Sequence, residues 1–502
     1  MKLICIGLDG AAFKLIRRFT SKRLLPTFES LIQKGIYHPL PSTIPPHTAP
    51  GWTSSLTGVN PGKHGIYQFW DTQAPSYVGR YMGSIDCSVP PVWDILNQHG
   101  FTTGMMNIPM SHPPKPCNGY MITWPLSNTL RFCYPVNLSR EITAHQGPYI
   151  PDLLTMYDGR TSDEEYLEKS IQAIRNRWAI AQYLIKNRPC DFFMAVFTEI
   201  DRISHFYWKY MDNTSSSLSH AVQTIYMEMD RVLGELIDSM DADTSLMVYS
   251  DHGFCRGDLD FYVHTFFENE NLLQWKPAGN VSPVTGSWFT KKINGVPYIV
   301  DWKHTVAYMA SPGSYGININ LLGRQTEGIV PCDDFEAVCR QVIELLETIR
   351  HPVTLRPLFR SILRSDHIYH GTKSAGAPDI ILVPENYGTM VHHMTDGDRL
   401  FSAEPEQNGM HDEDGVFLLY SPSGLLAGEH RRPENLQDIA PTMLSLFGVD
   451  IPAYMDGRSI FPTAYEKPSS SSVRCHVVSG EKAYLPEENE EIKKRLQSLG
   501  YL

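Results

Sequence analysis

Three aspartates and three histidines lie close to the ends of predicted strands, in four separate segments of the chain. These residues are Asp9, Asp201, His205, Asp251, His252 and His411. Carboxylate oxygens and imidazole nitrogens without sulfur form the ligand set typical of zinc, or of manganese in a related geometry. The residue types therefore predict a site for divalent cations.

The spacing within two of these segments supports a shared site. Asp201 and His205 are four residues apart, so both can lie on one face of a helical turn and reach the same cation. In Ser250-Asp251-His252-Gly253, neighbouring side chains can diverge around a cation, although such a segment can also cap a helix. Taken alone, Asp9 is typical of a turn and His411 of a structural histidine. Taken together, the three aspartates and three histidines favour a metal site.

Thr48 is the candidate nucleophile. It lies in the segment His-Thr-Ala-Pro-Gly-Trp, residues 47–52. A hydroxyl is a weak nucleophile unless a base or a metal activates it. If Thr48 opens a helix, the amide groups of the first turn also favour an anion there. The alternative is that Thr48 only caps a helix over residues 52–56.

The elements that must position these residues follow from hydrophobic periodicity. Strands are predicted over residues 2–8, 121–124, 191–197, 245–249, 378–384 and 415–420, and helices over 24–34, 165–185, 218–240, 335–349, 436–446 and 487–499. The alternation of strands and helices predicts an α/β fold, with a mostly parallel sheet and helices on both faces. Ligands of such sheets bind at the carboxyl ends of the strands, where the candidate residues lie.

The domain organisation is predicted from changes in composition. Residues 1–255 and 375–465 are expected to form the two parts of the α/β core. Residues 256–374, rich in Trp, Gly and Pro, are expected to form an inserted cap or substrate subdomain. Residues 466–502 are expected to form a linker, serine-rich over 468–473, and a C-terminal helix.

The overall charge restricts the partners. With 43 Lys and Arg against 55 Asp and Glu, the net charge is −12. Binding a nucleic-acid polymer requires clustered cationic side chains, so such a partner is not expected. A small phosphate ester held by metal cations is compatible with an acidic chain. Nothing in the sequence addresses the oligomeric state.

The predicted localisation rests on the apolar segments and on the cysteines. No stretch of about 18 apolar residues occurs, so no membrane span is expected, and the first apolar run is too short for a signal peptide. The nine cysteines are scattered and never form a Cys-x-x-Cys pair. This pattern favours a reducing, cytoplasmic environment.

The motifs resemble the alkaline phosphatase superfamily, most closely its type I phosphodiesterase/nucleotide pyrophosphatase family. The similar segments, in the family's order, are Leu8-Asp9-Gly10, Thr48-Ala-Pro with Leu56-Thr57-Gly58, Pro61-Gly-Lys-His-Gly-Ile66, Asp201-x-x-x-His205, Ser250-Asp-His-Gly253 and Gly409-x-His411. The segments 107–114, 317–324, 438–444 and 455–458 resemble prokaryotic members. The resemblance covers nearly the whole chain.

The resemblance implies an alkaline-phosphatase-like core, an inserted cap and two divalent cations, with zinc expected and manganese as the alternative. One cation would be held by Asp201, His205 and His411. The other would be held by Asp9, Asp251, His252 and the Thr48 oxygen. Thr48 would attack phosphorus and form a phospho-threonine intermediate. The implied substrate is a small phosphodiester or phosphoanhydride.

Departures from the family pattern leave the substrate open. The family has an Asn after the His-Gly-Ile segment that contacts a phosphoryl oxygen, whereas this chain has Tyr67-Gln68, and Gln68 is the candidate replacement. The Cys/Ser-x-Pro-x-Arg segment of sulfatases is absent, which argues against a sulfatase. Phosphonate or phosphomonoester hydrolysis and phosphotransfer remain alternatives. A non-catalytic, metal-stabilised binding protein is the other class, and the intact Thr48 argues against it.

Overall fold

The structure is a computed structural model of the chain. It describes residues 3–498 except 78, 153–160, 212, 280–288, 294, 312, 394, 396, 406, 424–428, 462–482 and 486–487. The chain divides into two compact units, which are described separately. The first unit comprises Met1–Asn60, Gly83–Phe254 and His411–Ala483, and the second comprises Pro61–Met82, Cys255–Met410 and Tyr484–Leu502.

Strands and helices follow one another along the whole described part of the chain. In chain order, the strands are β1 Leu3–Leu8, β2 Ile36–Pro41, β3 Thr103–Ile108, β4 Gly119–Thr123, β5 Cys133–Tyr134, β6 Phe192–Phe197, β7 Ser245–Tyr249, β8 Gly253–Arg256, β9 Leu259–Tyr262, β10 Trp275–Pro277, β11 Thr290–Ile293, β12 Val296–Val300, β13 Ala307–Met309, β14 Gly316–Ile319, β15 Phe359–Arg364, β16 Ile380–Pro384, β17 Thr389–His392, β18 Phe401–Ser402, β19 Gly409–Asp412 and β20 Asp414–Tyr420. The α-helices are α1 Phe13–Ser21, α2 Pro26–Lys34, α3 Thr48–Thr57, α4 Pro61–His64, α5 Val92–Gln98, α6 Leu138–Gln146, α7 Asp163–Asn187, α8 Glu199–Tyr207, α9 Ala221–Ser239, α10 Val263–Asn269, α11 Phe335–Glu347, α12 Ile439–Leu446 and α13 Asn489–Ser498.

An eight-stranded sheet forms the centre of the first unit, in the order β2-β20-β7-β1-β6-β3-β4-β5. The run β7-β1-β6-β3-β4 is parallel, whereas β20 and β5 pair antiparallel with their neighbours. The prediction of an α/β fold with a mostly parallel sheet is therefore confirmed. Every residue of β1 is buried, as expected for a central strand covered on both faces.

Alternation along β1 divides its side chains between two apolar cores. Ile4, Ile6 and Leu8 face one core, whereas Leu3 and Cys5 face the other. Helices α1, α2, α7, α8 and α9 contribute to the first core, and helices α3, α5 and α12 to the second. Helices thus cover both faces of the sheet, as predicted.

A glycine allows α3 to approach the sheet closely. A Cβ atom on Gly7 would lie 2.5 Å from the Trp52 ring of α3 and 2.8 Å from a methyl carbon of Val196. Trp52 is completely buried. The absence of a side chain at Gly7 therefore sets how closely α3, which begins at Thr48, packs against β1.

Among the described residues of the second unit there are three smaller sheets, in the orders β10-β12-β11, β13-β14-β16-β15 and β17-β9-β18. The expectation that residues 378–384 return to the central sheet is wrong, because β16 in that segment pairs antiparallel with β14 and β15. The strand is buried and apolar like a central-sheet strand, so its composition alone did not distinguish the two sheets. The compact units also cut the chain at different points from the predicted domain segments.

The six predicted helical segments each correspond to a helix, whereas fourteen of the twenty described strands were not predicted, among them β2, β3 and β5 of the central sheet. Helices α2, α7, α9, α11, α12 and α13 overlap the six predicted helical segments. Strands β2 and β3 were not predicted, because β2 contains two prolines and β3 contains glycine, two methionines and asparagine. The predicted linker at 468–473 lies outside the described residues. Among the described helices, none is both long and apolar enough to cross a membrane.

Candidate metal centre and nucleophile

Three parallel strands that are neighbours in the sheet end at the candidate site. β1 lies between β7 and β6, with Leu8 paired to Phe197 and Gly7 paired to Tyr249. The chain continues from β1 into Asp9 and from β7 into Asp251 within two residues. From β6 it continues into α8, which carries Asp201. All three carboxylates are completely buried.

Helix α8 places two of the predicted ligands on one face. Asp201 and His205 both lie within it, as the four-residue spacing predicted. His205 Nε2 lies 3.5 Å from Asp201 Oδ1. The helix is buried along its whole length, so both side chains are held by packing.

The turn after β7 is held by hydrogen bonds that place Asp251. The Ser250 hydroxyl donates to the Ala11 carbonyl and accepts the Val416 amide, each at 2.8 Å. The Ser42 hydroxyl donates to the Asp251 carbonyl at 2.6 Å. The Gly10 amide, at a backbone φ of +70° that favours glycine, donates to Asp251 Oδ1 at 3.2 Å. Strand β8 follows this turn, so the helix-cap interpretation of the segment is wrong.

Two histidines are oriented by backbone carbonyls. His252 Nδ1 lies 3.0 Å from the Gly253 carbonyl oxygen, and His411 Nδ1 lies 3.3 Å from that of Pro46. A carbonyl only accepts, so Nδ1 carries the proton in each ring, which leaves the Nε2 lone pair available. This second contact is what orients a metal-binding imidazole.

Five of the six candidate ligands form two groups that share Asp201. Asp201, His205 and His411 form one group and Asp9, Asp201 and His252 form the other, with the ligand atoms of each within 4.8 Å of one another. Asp201 Oδ1 lies 3.2 Å from His411 Nε2 and 3.9 Å from His252 Nε2. Asp251 Oδ2 lies 3.3 Å from His252 Nε2. Asp201 is thus common to both groups and Asp251 belongs to neither, so the assignment of each ligand to one of two cations stays a prediction.

Thr48 is the first residue of α3, and His47 rather than Thr48 caps the helix. His47 Nδ1 accepts the Ala49 amide at 3.1 Å. The alternative role of Thr48 as an N-cap is therefore wrong, and the expectation that it opens a helix is confirmed. Thr48 Oγ1 lies 3.2 Å from His252 Nε2, within hydrogen-bond distance. The hydroxyl thus contacts a candidate ligand at the positive end of a helix.

The burial of these groups has opposite consequences for carboxylates and imidazoles. Burial, together with nearby carboxylates, raises the pKa of Asp9 and of Asp251 well above the usual range. Burial would also raise the pKa of Asp201, but His205 and Arg202 hold it well below the usual value. Burial and the nearby His411 lower the pKa of His252, so this imidazole is neutral. Asp9 and Asp251 therefore lack the nearby positive charge that would keep them ionised, and the neutral His252 ring offers a lone pair.

Three neighbours of the ligands were not predicted from the sequence. Arg202 Nη1 donates to Asp201 Oδ2 at 2.5 Å, and His47 caps the helix of Thr48. Phe254 packs against the rings of His205 and His411, with ring centroids 4.9 and 5.3 Å apart. The sequence gives one signal for these residues: each lies within two positions of a predicted ligand or of the predicted nucleophile. Gln68, the candidate phosphoryl contact, lies in the second unit and is 2% exposed.

Comparison with solved structures defines the class of fold. Phosphonoacetate hydrolase from Sinorhizobium meliloti 1021, in complex with phosphonoformate, is 14% identical with a TM-score of 0.54, covering 83% of this chain and 89% of its own. Human ectonucleotide pyrophosphatase/phosphodiesterase 5 is 14% identical with a TM-score of 0.50, covering 91% and 97%. The wild-type alkaline phosphatase PafA is 16% identical with a TM-score of 0.54, covering 91% and 98%. The chain therefore has an alkaline-phosphatase-like fold.

Sequence comparison identifies the family. The profile of the family described as type I phosphodiesterase / nucleotide pyrophosphatase matches residues 3–414. The chain belongs to this family, and it is an enzyme of the metal-dependent phosphoester hydrolase class. Among curated proteins, none has significant sequence similarity to the chain.

Proposed function

We propose that the protein is a two-metal hydrolase that cleaves a small phosphodiester or phosphoanhydride through a phospho-threonine at Thr48. The observation that carries the proposal is the position of the Thr48 hydroxyl, 3.2 Å from His252 Nε2 at the edge where three buried carboxylates converge. Family membership supports the reaction class.

The residues fit divalent cations. Both carboxylate oxygens of Asp9 are buried, and neither accepts a hydrogen bond from a described residue. A buried carboxylate without a partner is strongly unfavourable, and a cation removes that cost. We assign Asp201, His205 and His411 to one cation, and Asp9, Asp251, His252 and the Thr48 oxygen to the other. Zinc suits this oxygen and nitrogen donor set, with manganese as the alternative.

The bound cations would neutralise charge on the phosphoryl oxygens and ease deprotonation of the Thr48 hydroxyl and of water. Thr48 Oγ1 forms a bond to phosphorus while the bond from phosphorus to the leaving oxygen breaks, and the leaving group departs with that electron pair. Water then cleaves the bond between Thr48 and phosphorus and restores the hydroxyl. The N-terminus of α3 favours the anionic phosphoryl group throughout.

The structural relatives support a threonine nucleophile and leave the substrate class to experiment. Murine ectonucleotide pyrophosphatase/phosphodiesterase 5 is known as an inactive threonine-to-alanine variant in complex with AMP. Phosphonoacetate hydrolase is known with phosphonoacetate and with phosphonoformate. The same fold therefore accommodates different phosphorus compounds, so phosphonate hydrolysis is the second candidate function.

The deciding experiment compares four nitrophenyl substrates, a phosphodiester, a phosphomonoester, a phosphonate ester and a sulfate, with wild type, Thr48→Ala and Thr53→Ala. Thr53 lies in the same helix, and its hydroxyl bonds only the Ala49 carbonyl among the described residues, at 2.7 Å. We expect the highest kcat/KM for the diester, its loss in Thr48→Ala and its retention in Thr53→Ala. Unchanged turnover in Thr48→Ala would refute the nucleophile, and a preference for the phosphonate would establish the second candidate.

We also propose a cytoplasmic location. No disulfide joins the eight cysteines among the described residues, as expected in a reducing compartment. Fractionation of cells that express the full chain tests this, since recovery of the protein outside the cytoplasmic fraction would contradict it.

A further inference from the structure

A buried arginine lies between a candidate metal ligand and a second carboxylate. Arg202 follows Asp201 in α8, and its side chain is completely buried. Its Nη1 donates to Asp201 Oδ2 at 2.5 Å, and its Nη2 donates to Asp152 Oδ2 at 3.1 Å. The indole of Trp124 also donates to Asp152 Oδ2, at 2.8 Å. The guanidinium therefore bridges two buried carboxylates.

The geometry at Asp201 separates its two oxygens. Oδ2 is bound by Arg202, whereas Oδ1 lies 3.5 Å from His205 Nε2 and 3.2 Å from His411 Nε2. A carboxylate that is free to rotate could offer either oxygen, or both, to a cation. In this protein one oxygen is occupied by the arginine, and the other faces the candidate ligands.

The far end of this bridge is anchored by a neighbouring helix. Asp152 follows Pro151, whose carbonyl accepts Arg177 Nη2 at 3.2 Å, and the amide of Ile150 donates to Asn176 Oδ1 at 3.1 Å. Arg177 and Asn176 belong to α7. Asp152 is thus held independently of Asp201, and it fixes where the guanidinium lies.

We propose that Arg202, held in place by Asp152, is a positioning residue that turns Asp201 so that Oδ1 alone faces the metal cations. The inference rests on the proposed function, because it needs cations at this site. Asp152 balances the charge of Arg202. The second carboxylate balances the arginine, which would otherwise pair with both oxygens of Asp201 and compete with the cations for them.

The zinc affinity of Arg202→Gln distinguishes a positioning role of Arg202 from a purely electrostatic role. The Arg202 cation next to a ligand repels a divalent cation, so a purely electrostatic role predicts that Arg202→Gln binds zinc more tightly. A positioning role predicts weaker binding, because the freed Asp201 no longer presents Oδ1. Loss of such an outer contact typically weakens metal binding about 10–100-fold.

An arginine of the second unit provides a matched control. Arg324 is partly buried and donates to both carboxylate oxygens of Asp379, from Nη1 at 2.7 Å and from Nη2 at 2.6 Å. Neither residue of this pair contacts a candidate metal ligand or Asp152 through the bonds that the structure describes. Arg324→Lys therefore removes a comparable arginine–carboxylate pair outside the proposed arrangement.

The test is titration of metal-free full-length protein with Zn²⁺ alone, followed by calorimetry, with Co²⁺ absorption spectra as a second readout. We expect Arg202→Gln, Arg202→Lys and Asp152→Asn to weaken zinc binding about 10–100-fold with circular dichroism unchanged. Trp124→Phe, which removes one donor to Asp152, should weaken it less. Arg324→Lys should lower stability and leave zinc affinity at the wild-type value.

The outcomes distinguish this inference from the proposed function. Unchanged or tighter zinc binding in Arg202→Gln overturns the inference, while zinc-dependent activity of the wild type leaves the proposed function standing. A wild-type protein that takes up no divalent cation overturns both. If Arg202→Gln does not fold, Arg202→Lys and Asp152→Asn decide, and wild-type affinity in both contradicts the positioning role.

Discussion

The Nε2 atoms of His205 and His411 lie 3.1 Å apart, although 206 positions separate the two residues in the chain. The His411 ring carries its proton on Nδ1, facing the Pro46 carbonyl, so its Nε2 lone pair points toward His205. Both rings also lie within 3.5 Å of Asp201 Oδ1. A divalent cation between these atoms satisfies all three groups at once.

The first prediction concerns the number of bound cations. We expect His411→Ala to bind one zinc ion per chain where the wild type binds two, because the group of Asp9 and His252 does not include His411. The loss of kcat/KM should be about 100-fold or more, since even outer-shell partners of metal ligands typically cost 10–100-fold.

Elemental analysis of the purified protein measures the stoichiometry. His367→Ala serves as the control, because His367 is an exposed histidine, and it should leave two ions bound. Two ions in His411→Ala would show that His411 is not a ligand.

The second prediction concerns the charge of Asp9 in the metal-free protein. Burial and the charges of Asp251 and Asp201 raise the pKa of Asp9, so the folded state binds its proton more tightly than the unfolded state does. The stability that this proton provides is present below the usual pKa of about 3.9 and is lost as the pH rises above it. At neutral pH, Asp9→Asn should therefore stabilise the metal-free protein.

Thermal unfolding with and without zinc measures how Asp9→Asn changes the stability of the metal-free and the zinc-bound protein. In EDTA, Asp9→Asn should unfold at a higher temperature than the wild type, whereas zinc should stabilise the wild type more than the variant. Asp238→Asn, at an exposed position of α9, should change neither comparison. Equal stabilisation of wild type and Asp9→Asn by zinc would remove Asp9 from the metal site.

The strands that carry the site could be predicted because each is a continuous apolar run. β1, β6 and β7 are buried at every position, and a polar residue at the end of such a run stands out. Strand β16 has the same apolar character, so the sheet that it joins could not be predicted. Which partner a buried strand takes depends on contacts between residues far apart in the chain, such as the pairing of Gly316 with Ile381.

The candidate ligands stand out by residue type, whereas the residues that support them could not be predicted. Asp and His beside strand ends indicate metal chemistry, but an arginine such as Arg202 fits many roles. Its partner Asp152 is 50 positions away, and no spacing rule connects them. The cap that His47 forms on α3 could not be predicted for a related reason. An imidazole that caps a helix through Nδ1 has no distinctive sequence pattern.

The third prediction concerns a histidine outside the site. His264 is buried, its Nε2 accepts the Met309 amide at 3.0 Å, and burial lowers its pKa to about 3. Between this value and the usual pKa of about 6.5, the unfolded chain binds a proton that the folded protein does not. The free energy of unfolding should therefore fall as the pH decreases through this window, by up to about 1.4 kcal/mol per pH unit for this group.

Urea unfolding of metal-free protein at pH 5 and pH 7 tests this slope. His264→Gln retains an acceptor but does not titrate, so the difference between the two pH values should shrink. His367→Gln, at an exposed position, is the control and should leave the difference as in the wild type. An equal difference in His264→Gln and wild type would contradict the assignment.

The fourth prediction links packing to chemistry through Gly7. A methyl group there would lie 2.5 Å from the Trp52 ring, and overpacking a core typically costs about 1–3 kcal/mol. Gly7→Ala should lower the free energy of unfolding by that amount and push α3 away from β1. Because α3 begins at Thr48, activity should fall as well, by up to about 100-fold for a displacement near 1 Å.

Two companion variants separate this displacement from a general effect of alanine. In Gly376→Ala the new methyl group meets its nearest neighbour, Tyr67, at 3.5 Å, an ordinary contact, so stability and activity should stay near wild type. In the double variant Gly7→Ala/Trp52→Phe the smaller ring makes room for the methyl group, and part of the lost activity should return even though the core loses apolar area. If the double variant is less active than Gly7→Ala, the position of Thr48 does not depend on the contact between Gly7 and Trp52.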